Sequence, residues 1–312
     1  LSFLIYTYFP FGGLQRDFLR IAKECASRGH EITVYTLRWD GDVPEGINVI
    51  LVPVSTRNRI KRNEAYTEWV QAALKKQSKS LVIGFNKMPL LDIYFAADPC
   101  FMEKATEQRG FYYKFTPRFK HFKNFEESVF APNQHTEVLI LSPQQRASFE
   151  KYYPGCGPRL HQVPPGISMD RKVDVIDKTA GNEVRLELGL SLETKLLLQV
   201  GSGFRVKGVD RALQALASLP KSELEQCHYL LIGQDNPGRY LRLAKKLGIA
   251  KHFTVLPGRN DIPRFLAAAD LLLHPAYSES AGYVLLEATI AGLPVLTTSS
   301  CGYAFHIEQA ES

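Results

Sequence analysis

Short apolar segments alternate with segments of helical periodicity along nearly the whole chain, and this alternation limits the possible folds more than any other feature. The apolar segments have the length of buried strands, and the segments between them repeat their apolar residues at helical spacing. Alternating strands and helices are typical of a parallel sheet with helices on both faces, so the sequence predicts a doubly wound α/β architecture. The predicted strands are 3–8, 31–37, 49–52, 81–84, 93–96, 138–141, 196–201, 229–233, 253–256, 271–275 and 295–298. The predicted helices include 14–28, 64–76, 209–219, 239–247, 262–269 and 282–291.

A proline-rich segment, VPPG at 163–166, interrupts the alternation and is the best candidate for a linker. Polar residues with little periodicity follow it to about residue 190, and a second alternating series then begins. A chain of 312 residues is long enough for about two domains. We therefore expect two Rossmann-like domains, 1–165 and 166–312. Because ligands of such sheets bind at the carboxyl ends of the strands, two domains that face each other would form a ligand-binding cleft.

Composition restricts the class of protein further. Apolar residues make up 45% of the chain and charged residues 22%, as in globular proteins, and the net charge of +6 favours an anionic partner. The five cysteines are scattered without a CxxC pair, which argues against a zinc ribbon or a disulfide framework and favours a reducing compartment. No apolar run reaches the roughly 20 residues that would span a bilayer. The chain starts inside an apolar strand and stops after a strand and a glycine turn, so we expect further chain beyond both ends.

Two carboxylates flank the start of a predicted helix in the stretch 277–296, which reads YSESAGYVLLEATIAGLPVL. Glu279 lies in the loop before this helix, Ala281 and Gly282 lie at its start, and Glu287 lies inside it. The amides of a first helical turn attract anions, and carboxylates accept hydrogen bonds from sugar hydroxyls. The stretch therefore indicates a site for an anionic, hydroxyl-rich ligand. An amphipathic helix with Glu287 on its solvated face would explain the same residues.

The first strand of the second domain is followed by a loop of small and basic residues, GSGFRVKG at 201–208. It lacks the third glycine of a dinucleotide-binding fingerprint, and Lys207 is not followed by the Ser or Thr of a P-loop. What remains is a flexible loop with two cations, Arg205 and Lys207, at the carboxyl end of a strand. This combination favours a diphosphate ligand, and two solvated basic residues are the alternative.

Candidate residues in the first domain follow its strands in the same way. Phe11, Gly12 and Gly13 form a loop where the backbone could approach a ligand closely, although a plain tight turn fits equally well. Asp17 is expected in the first turn of the following helix, where it either complements the helix dipole or faces the cleft. Asp98 follows the strand 93–96 and is either a site residue or a turn former before a proline.

Two further motifs carry weaker signals. The triplet Asp40-Gly41-Asp42 has the Asp-x-Asp spacing of metal-dependent sugar transferases, but Asp-Gly marks a turn and no other ligand-like cluster is close in sequence, so we expect no metal. His274 stands alone at the end of a predicted strand, and we expect it to have a structural role.

Basic and aromatic residues are interleaved from Phe101 to Phe130. This segment contains six lysines and arginines, one histidine and seven aromatic residues between its two ends. Such a mixture in a helical segment indicates contact with an anionic membrane surface, where each cation contributes about 1 kcal/mol. Nucleic acid would suit the same composition, and an aromatic core helix is the simplest alternative. We favour the membrane surface and expect no nucleic-acid partner.

Seven motifs in a fixed order carry a resemblance to a known family: YTYFPFGGLQRDF, GFNKMP, YFAAD, PPGI, KGVDR, LLLHPAY and AGLPVLTT. Together with the spacing of the two glutamates, they resemble retaining GT-B glycosyltransferases, and most closely the lipopolysaccharide core glucosyltransferase I family. The resemblance covers nearly the whole chain. It implies transfer of glucose from UDP-glucose to an inner-core heptose of lipopolysaccharide, peripherally at the cytoplasmic face of the inner membrane of a Gram-negative bacterium. It also implies that the first domain binds the acceptor and the second the donor, with no cofactor and no metal.

The resemblance further implies roles for the carboxylates and the helix start. Glu287 would hold the ribose hydroxyls, and Glu279 would bind hydroxyls of the donor glucose. Backbone amides near Ala281 and Gly282 would contact the diphosphate. Asp98 would lie near the hydroxyls of the donor sugar, and Asp17 would lie close to the acceptor.

The same resemblance implies that cations hold the diphosphate. Lys207 and Arg205 would contact its oxygens, Gly13 would lie against the diphosphate or sugar, and the segment starting at Arg259 would contact uracil through its backbone. Close relatives have adjacent Arg and Lys in this loop, whereas here Val206 separates them, which puts the role of Arg205 in doubt.

The reaction implied is glycosyl transfer with departure of a diphosphate. Charge develops on the leaving oxygen, where cations and amides lower the barrier, and we expect Asp98, Glu279 and Lys207 to be the catalytic residues. Eight helical residues span about 12 Å, whereas the paired carboxylates of retaining hydrolases are about 5 Å apart. We therefore expect Glu279 and Glu287 to bind hydroxyls, with front-face attack assisted by the leaving phosphate. A transferase for another donor or lipid acceptor, or a non-catalytic glycan- or membrane-binding relative, remains the alternative.

Overall fold

The structure, a computed structural model, describes residues 1–10, 12–76, 80–167 and 178–310. The chain divides into two compact units, Leu1–Pro164 and Pro165–Ser312. The division lies one residue from the boundary expected from the proline-rich segment. Phe11, part of the predicted glycine loop, lies outside the described residues.

The first unit is built on a parallel sheet of seven described strands, in the order β5-β3-β1-β6-β7-β8-β9. A separate parallel pair, β2 with β4, follows two of these strands. The strands are β1 (Ser2–Leu4), β2 (Thr7–Tyr8), β3 (Ile32–Thr36), β4 (Arg38–Trp39), β5 (Ile47–Leu51), β6 (Val82–Gly84), β7 (Ile93–Phe95), β8 (Glu137–Ile140) and β9 (Leu160–Gln162). The helices are α1 (Gly13–Ser27), α2 (Arg59–Leu74), α3 (Phe101–Glu107), α4 (Pro117–Phe130) and α5 (Pro143–Tyr152), with a 3₁₀ turn at Phe111–Phe115.

The second unit is built on a parallel sheet of five described strands, in the order β12-β11-β10-β13-β14. The strands are β10 (Lys195–Val200), β11 (Cys227–Ile232), β12 (Phe253–Leu256), β13 (Leu271–His274) and β14 (Val295–Thr297). The helices are α6 (Lys178–Glu187), α7 (Val209–Ala217), α8 (Lys221–Leu224), α9 (Gly238–Lys246), α10 (Ile262–Ala268), α11 (Tyr283–Ile290) and α12 (Ala304–Gln309).

The central strands are apolar because both faces of a parallel sheet are covered by helices. Phe3 and Leu4 in β1 are at most 1% exposed, and Leu196 and Leu198 in β10 are fully buried. Each unit has its own apolar core, which supports its description as a separate folding unit.

Local signals explain where several helices begin and end. The side chain of Asn58 accepts hydrogen bonds from the N–H groups of residues 60 and 61, so α2 begins five residues before its predicted start. Thr116 and Ser142 cap α4 and α5, each followed by a proline at the first helical position. Gly29 has a φ of +87°, the left-handed conformation expected of a residue that follows a helix.

Three sequence expectations need correction. The predicted strand 3–8 is two short strands, because β2 leaves the main sheet to pair with β4. Asp17 is the fifth residue of α1 and not part of its first turn, because the helix begins at Gly13. The weakly patterned stretch after the linker contains α6, while residues 168–177 lie outside the described residues.

Candidate functional site

Three loops at the carboxyl edge of the second sheet contain most of the predicted donor-site residues. They follow β10, β13 and β14, which are neighbours in the sheet. The loops span 201–208, 275–282 and 298–303. Loops at the carboxyl ends of adjacent parallel strands converge in space, and this edge is where doubly wound sheets bind ligands.

The loop after β10 is held against the loop after β13 by backbone contacts. The carbonyl oxygen of Val206 accepts a hydrogen bond of 2.8 Å from the N–H of Tyr277. Gly208 has a φ of +70°, and a Cβ atom there would lie 2.0 Å from the carbonyl oxygen of Pro275. A side chain at position 208 would therefore push the two loops apart, which explains why glycine follows the lysine in this loop.

This arrangement brings the ammonium group of Lys207 into contact with the carboxylate of Glu279, to which it donates a hydrogen bond. The side-chain amide of Gln199 donates a 2.8 Å hydrogen bond to the carbonyl oxygen of Lys207 and fixes the backbone at that point. The two charged side chains are 18% and 19% exposed, so the pair is largely shielded but open to solvent at one side. The structure thus brings together two of the three residues predicted to be catalytic.

The environment of Glu279 keeps its carboxyl group ionised. Burial alone would raise the pKa of this carboxyl, but Lys207 and then His274 outweigh that effect and lower its pKa to about 2. A carboxylate with this pKa accepts hydrogen bonds and carries negative charge at neutral pH. It is not suited to donate a proton.

From the sequence we expect a structural role for His274. The structure shows that it also belongs to this cluster. It is fully buried, and its Nε2 lies 3.6 Å from a carboxylate oxygen of Glu279. Burial lowers the pKa of His274, but Cys301 and Glu279 more than compensate and raise it. Burial would likewise raise the pKa of the Cys301 thiol, yet contact with His274 lowers it. The signal in the sequence was the position of His274 at the carboxyl end of β13, five residues before Glu279.

The loop that carries Glu279 is also bound to the loop after β14. The N–H of Glu279 donates to the carbonyl oxygen of Ser300 at 3.2 Å, and the N–H of Gly302 donates to the carbonyl oxygen of Glu279 at 2.9 Å. The N–H of Tyr303 donates to the carbonyl oxygen of Ala281 at 2.8 Å. The backbone of residues 279–281 is therefore fixed before any ligand binds.

Helix α11 begins directly after this loop, at Tyr283. Gly282 precedes it with a φ of +101°, a conformation that favours glycine, and offers no side chain to cap the helix. Glu287 is buried within α11 and not on a solvated face, which corrects the alternative reading of this helix. The span of about 12 Å expected between Glu279 and Glu287 assumed a continuous helix, and that assumption is wrong because residues 279–282 are not helical.

The two arginines predicted to contact the donor differ in their surroundings. Arg205 is exposed, and among the described residues it has no ion-pair partner. Arg259 forms two hydrogen bonds of 2.7 and 2.8 Å with Asp261, and its guanidinium lies 4.8 Å from the centre of the Phe265 ring. The side chain of Arg259 is therefore committed to its own segment, which leaves the backbone as the part able to contact a base.

The remaining predicted site residues lie in the first unit. Gly13 is the first residue of α1, and a Cβ atom there would meet no heavy atom within 4 Å. Asp17 is 5% exposed and pairs with Arg20 at 3.1 Å. Asp98 is exposed and lies three residues after β7, at the carboxyl edge of the first sheet.

The segment Phe101–Phe130 is not one helix but α3, a 3₁₀ turn and α4. The turn exposes Phe111, Tyr112 and Phe115 to 68%, 84% and 66%, respectively. By contrast, Phe119 and Phe130 are buried in the unit. The segment therefore has a core-facing part, as the alternative of an aromatic core helix describes, and an exposed aromatic turn.

The Asp40-Gly41-Asp42 triplet forms a turn, with Gly41 at a φ of +95° and Asp40 paired with Arg38 at 2.7 Å. Within the described ranges, no group of three His, Cys, Asp or Glu residues is arranged to hold a metal ion. None of the described helices is both long and apolar enough to span a membrane.

Comparison with known proteins identifies the family to which this geometry belongs. Residues 11–171 match the family described as Glycosyltransferase Family 4. The chain belongs to this family. Residues 182–312 match the family described as Glycosyl transferases group 1, so family 4 and group 1 patterns together cover both units.

Individual proteins resemble the chain over nearly its whole length. The chain is 48% identical over 310 residues to the lipopolysaccharide glucosyltransferase WaaG of Escherichia coli K12, covering 99% of this chain and 83% of that protein. A crystal structure of WaaG, described as a glycosyltransferase involved in lipopolysaccharide biosynthesis, superposes with a TM-score of 0.95 over 99% of this chain and 84% of that one. Sucrose-phosphate synthase from Thermosynechococcus elongatus has a TM-score of 0.75 at 17% identity, covering 97% and 82%. The GT-B fold and the family resemblance predicted from the motifs are confirmed.

Proposed function

We propose that this glycosyltransferase transfers glucose from UDP-glucose to an inner-core heptose of lipopolysaccharide, with retention of the anomeric configuration. The observation that supports this most strongly is the 48% identity to a lipopolysaccharide glucosyltransferase over 99% of the chain. Lys207 and Glu279 lie at the carboxyl edge of the second sheet, where a nucleotide-sugar donor would bind. They supply a cation and a carboxylate that can accept hydrogen bonds from sugar hydroxyls.

The leaving diphosphate is the group that Lys207 is suited to stabilise. The lysine ammonium donates a hydrogen bond to the carboxylate of Glu279. A diphosphate oxygen near this pair would accept a second hydrogen bond from the same ammonium, since a lysine has three donors. Negative charge that develops on the leaving oxygen would then be stabilised by a group already in place, which is the main requirement for electrostatic catalysis. The uncapped start of α11, with Ala281 and Gly282, adds backbone N–H groups to this site.

The carboxylates are assigned to hydroxyl binding. Glu279, ionised at neutral pH, accepts hydrogen bonds from the donor glucose, and Glu287 accepts them from the ribose. Asp98 is assigned to hydroxyls of the donor sugar, and Asp17 is assigned to the acceptor. Attack occurs on the face from which the diphosphate departs, with the phosphate assisting the acceptor hydroxyl. Trapping of a covalent glycosyl adduct on Glu279 or Asp98 would contradict this mechanism.

The reaction as proposed requires no metal or other cofactor. Lys207, helped by Arg205 and the helix amides, supplies positive charge to the diphosphate. We expect the rate of glucose transfer to be the same in excess EDTA as in added Mg²⁺ or Mn²⁺. A fall of more than about tenfold in EDTA, restored by one of these ions, would overturn this part of the proposal.

The exposed aromatic turn is proposed to bind the surface of an anionic membrane. Phe111, Tyr112 and Phe115 supply apolar area, and Lys114 lies among them. Sedimentation with phosphatidylglycerol vesicles, compared with neutral phosphatidylcholine vesicles, tests this proposal. The Phe111→Ser, Phe115→Ser double variant should bind the anionic vesicles at least tenfold more weakly. The proposal would be contradicted if the wild-type protein bound both vesicle types equally well. It would also be contradicted if the protein bound neither vesicle type.

The decisive test of the catalytic proposal is release of UDP from UDP-glucose in the presence of a glucose-free core acceptor. The expected result is turnover that depends on the acceptor and is faster with UDP-glucose than with UDP-galactose or GDP-sugars. Faster turnover with another donor would identify a different transferase. Binding of UDP without any turnover would indicate a non-catalytic relative.

A further inference from the structure

A pocket in the first unit has a composition that the donor site does not explain. It lies at the carboxyl edge of the first sheet, where Tyr6 follows β1, Asn86 follows β6 and Asp98 follows β7, three neighbouring strands. Its volume is about 340 Å³, within the range of roughly 300–1,000 Å³ typical of small-ligand sites. The other wall is formed by α2, α3, α4 and the turn between them. We call it the basic pocket.

Five cations line the basic pocket: Arg59, Lys87, Lys104, Arg109 and Arg118. Asp98 is the acidic residue among the lining side chains. Lys87 is neutralised by the buried Glu126. The charge of the lining is therefore strongly positive, which favours an anion inside the pocket.

Three of these guanidinium groups lie over aromatic rings and are not paired with carboxylates. Arg59 and Arg118 lie 5.3 and 5.5 Å from the centre of the Phe122 ring, and Arg109 lies 5.5 Å from that of Tyr113. In the described part of the chain, no carboxylate lies within ion-pair distance of any of the three arginines. Stacking on a ring restrains a guanidinium while leaving its N–H groups able to donate to an oxyanion in a bidentate manner. The ring of Phe122 therefore restrains both Arg59 and Arg118.

The inner part of the pocket is polar and suited to hydroxyl groups. The hydroxyl of Tyr6 is buried, and apart from an interaction with the Thr67 side chain it makes no hydrogen bond of normal geometry among the described residues. Asn63 is 3% exposed, and Asn86 accepts a 2.9 Å hydrogen bond from the N–H of Tyr6, which fixes the amide. Buried polar groups in proteins are nearly always satisfied, so a hydroxyl without a well-formed hydrogen bond beside a pocket indicates a missing polar partner. Tyr6, Asn63 and Asn86 thus offer donors and acceptors that match the hydroxyls of a sugar.

We propose that the basic pocket binds an anionic substituent, a phosphate or a carboxylate, carried by the glycan acceptor. This inference rests on the proposed function, because it takes the acceptor to be a glycan. The combination of hydroxyl-binding groups inside and unpaired arginines around them favours an acidic sugar over a lipid headgroup. The exposed aromatic turn, which is proposed to bind the membrane, is separate from the pocket, since Phe111, Tyr112 and Phe115 do not line it. In this proposal the exposed aromatic turn contacts the membrane, and the arginines that line the pocket recognise the charge of the acceptor.

The test compares Arg59→Gln with a matched control, Arg57→Gln. Arg57 is exposed, lies two residues before Arg59 and does not line the pocket, so both variants lose one charge from the same surface. Binding of a lipid-free, phosphorylated heptose oligosaccharide is measured by calorimetry without donor. The same oligosaccharide is then used after phosphatase treatment and after reduction of its carboxyl groups. Arg118→Gln serves as a second pocket variant in case the first one unfolds.

The expected result is a Kd raised about 10- to 100-fold by Arg59→Gln and by Arg118→Gln, the scale of losing a charge-assisted hydrogen bond, and less than twofold by Arg57→Gln. Removal of the recognised anion from the oligosaccharide should raise the wild-type Kd by a similar factor, and Arg59→Gln should then have little further effect. Unchanged Kd values for both pocket variants would overturn the proposal. Equal wild-type Kd values for all three oligosaccharides would also overturn it.

Two further readouts distinguish this inference from binding of a lipid headgroup and from the proposed glucose transfer. If Arg59→Gln weakens sedimentation with phosphatidylglycerol vesicles more than Arg57→Gln does, and leaves the oligosaccharide Kd unchanged, the pocket holds a lipid headgroup and the inference is wrong. If the oligosaccharide binds as expected but wild type transfers no glucose to it from UDP-glucose, the proposed function fails while the pocket assignment stands.

Discussion

Replacement of Lys207 by alanine tests the role of the charged pair at the centre of the donor site. The ammonium of Lys207 contacts Glu279 and lies in a loop fixed by Gly208 and by the Val206–Tyr277 backbone bond. Its removal takes away a cation that does not need to reorganise when the diphosphate departs. Loss of one such group lowers rates by about 10² to 10³, or about 3–4 kcal/mol of transition-state stabilisation. We therefore expect kcat/KM for UDP-glucose to fall by that factor.

The stability of the same variant follows from the pKa of Glu279. Burial raises that pKa, but Lys207 and His274 outweigh burial, and the net result is a pKa lowered from 4.5 to about 2; at 1.36 kcal/mol per unit this net change corresponds to about 3 kcal/mol. A lowered carboxyl pKa stabilises the folded state above pH 4.5, and the stabilisation is lost as the pH falls towards 2. Lys207→Ala should therefore lower the free energy of unfolding by on the order of 3 kcal/mol at pH 7. The difference from wild type should shrink at pH 3.

The assays are steady-state kinetics with a glucose-free core acceptor and urea unfolding at both pH values. Lys246→Ala, an exposed lysine on α9, is the matched control and should leave both quantities unchanged. Arg205→Ala, on the same loop but without a described ion-pair partner, should lower kcat/KM by less than tenfold. A Lys207→Ala enzyme that stays folded and keeps kcat/KM within threefold of wild type would refute the placement of Lys207 at the diphosphate.

Three further predictions concern other parts of the molecule. Glu287→Ala should raise the KM for UDP-glucose at least tenfold and keep kcat within threefold of wild type, as measured by donor-saturation kinetics. The reason is that a ribose contact is made equally in the ground state and the transition state. Gly13→Ala should leave the melting temperature unchanged or slightly raised, since a Cβ atom there has no neighbour within 4 Å, yet raise the donor KM if position 13 lies against the donor. Glu126→Gln should lower the free energy of unfolding by about 3 kcal/mol in urea titrations, because the fully buried Glu126 pairs with Lys87 and accepts bonds from two N–H groups at the start of α3.

Much of the fold could be predicted because the chain repeats one simple unit. Apolar strands buried on both faces and amphipathic helices leave strong periodic signals, so the five strands and four helices predicted for the second unit lie within two residues of their predicted bounds, whereas α6, α8 and α12 were not predicted. The end of a strand is also visible in the sequence. That is why Asp98, Lys207 and Glu279 could be placed at strand ends before any coordinates were known.

Contacts between distant loops were less predictable than the elements themselves. The cluster of His274 with Glu279 and Cys301 depends on how the loops after β13 and β14 pair, through hydrogen bonds that involve backbone groups. Backbone pairing of this kind leaves no side-chain pattern to detect. The assumption of one continuous helix from Glu279 to Glu287 was wrong for a related reason, because Gly282, with a positive φ, separates the loop from α11.

The basic pocket could not be predicted from the sequence either. Its lining residues come from the ends of three strands and from three helices, and are separated by up to 119 positions, from Tyr6 to Phe125. The interleaving of cations and aromatics in Phe101–Phe130 was visible, but it indicated only a surface. The stacking of Arg59 from α2 on Phe122 of α4 required the tertiary structure.

The central claim is that this glycosyltransferase adds glucose to the inner core of lipopolysaccharide. The most direct measurement is mass spectrometry of a glucose-free core acceptor incubated with the protein and uniformly ¹³C-labelled UDP-glucose. Our account predicts the addition of one labelled hexose to a heptose, in the α configuration of the donor, and loss of this product with Lys207→Ala. An unmodified acceptor, with a folded protein that binds UDP-glucose, would contradict it, as would a product of inverted configuration.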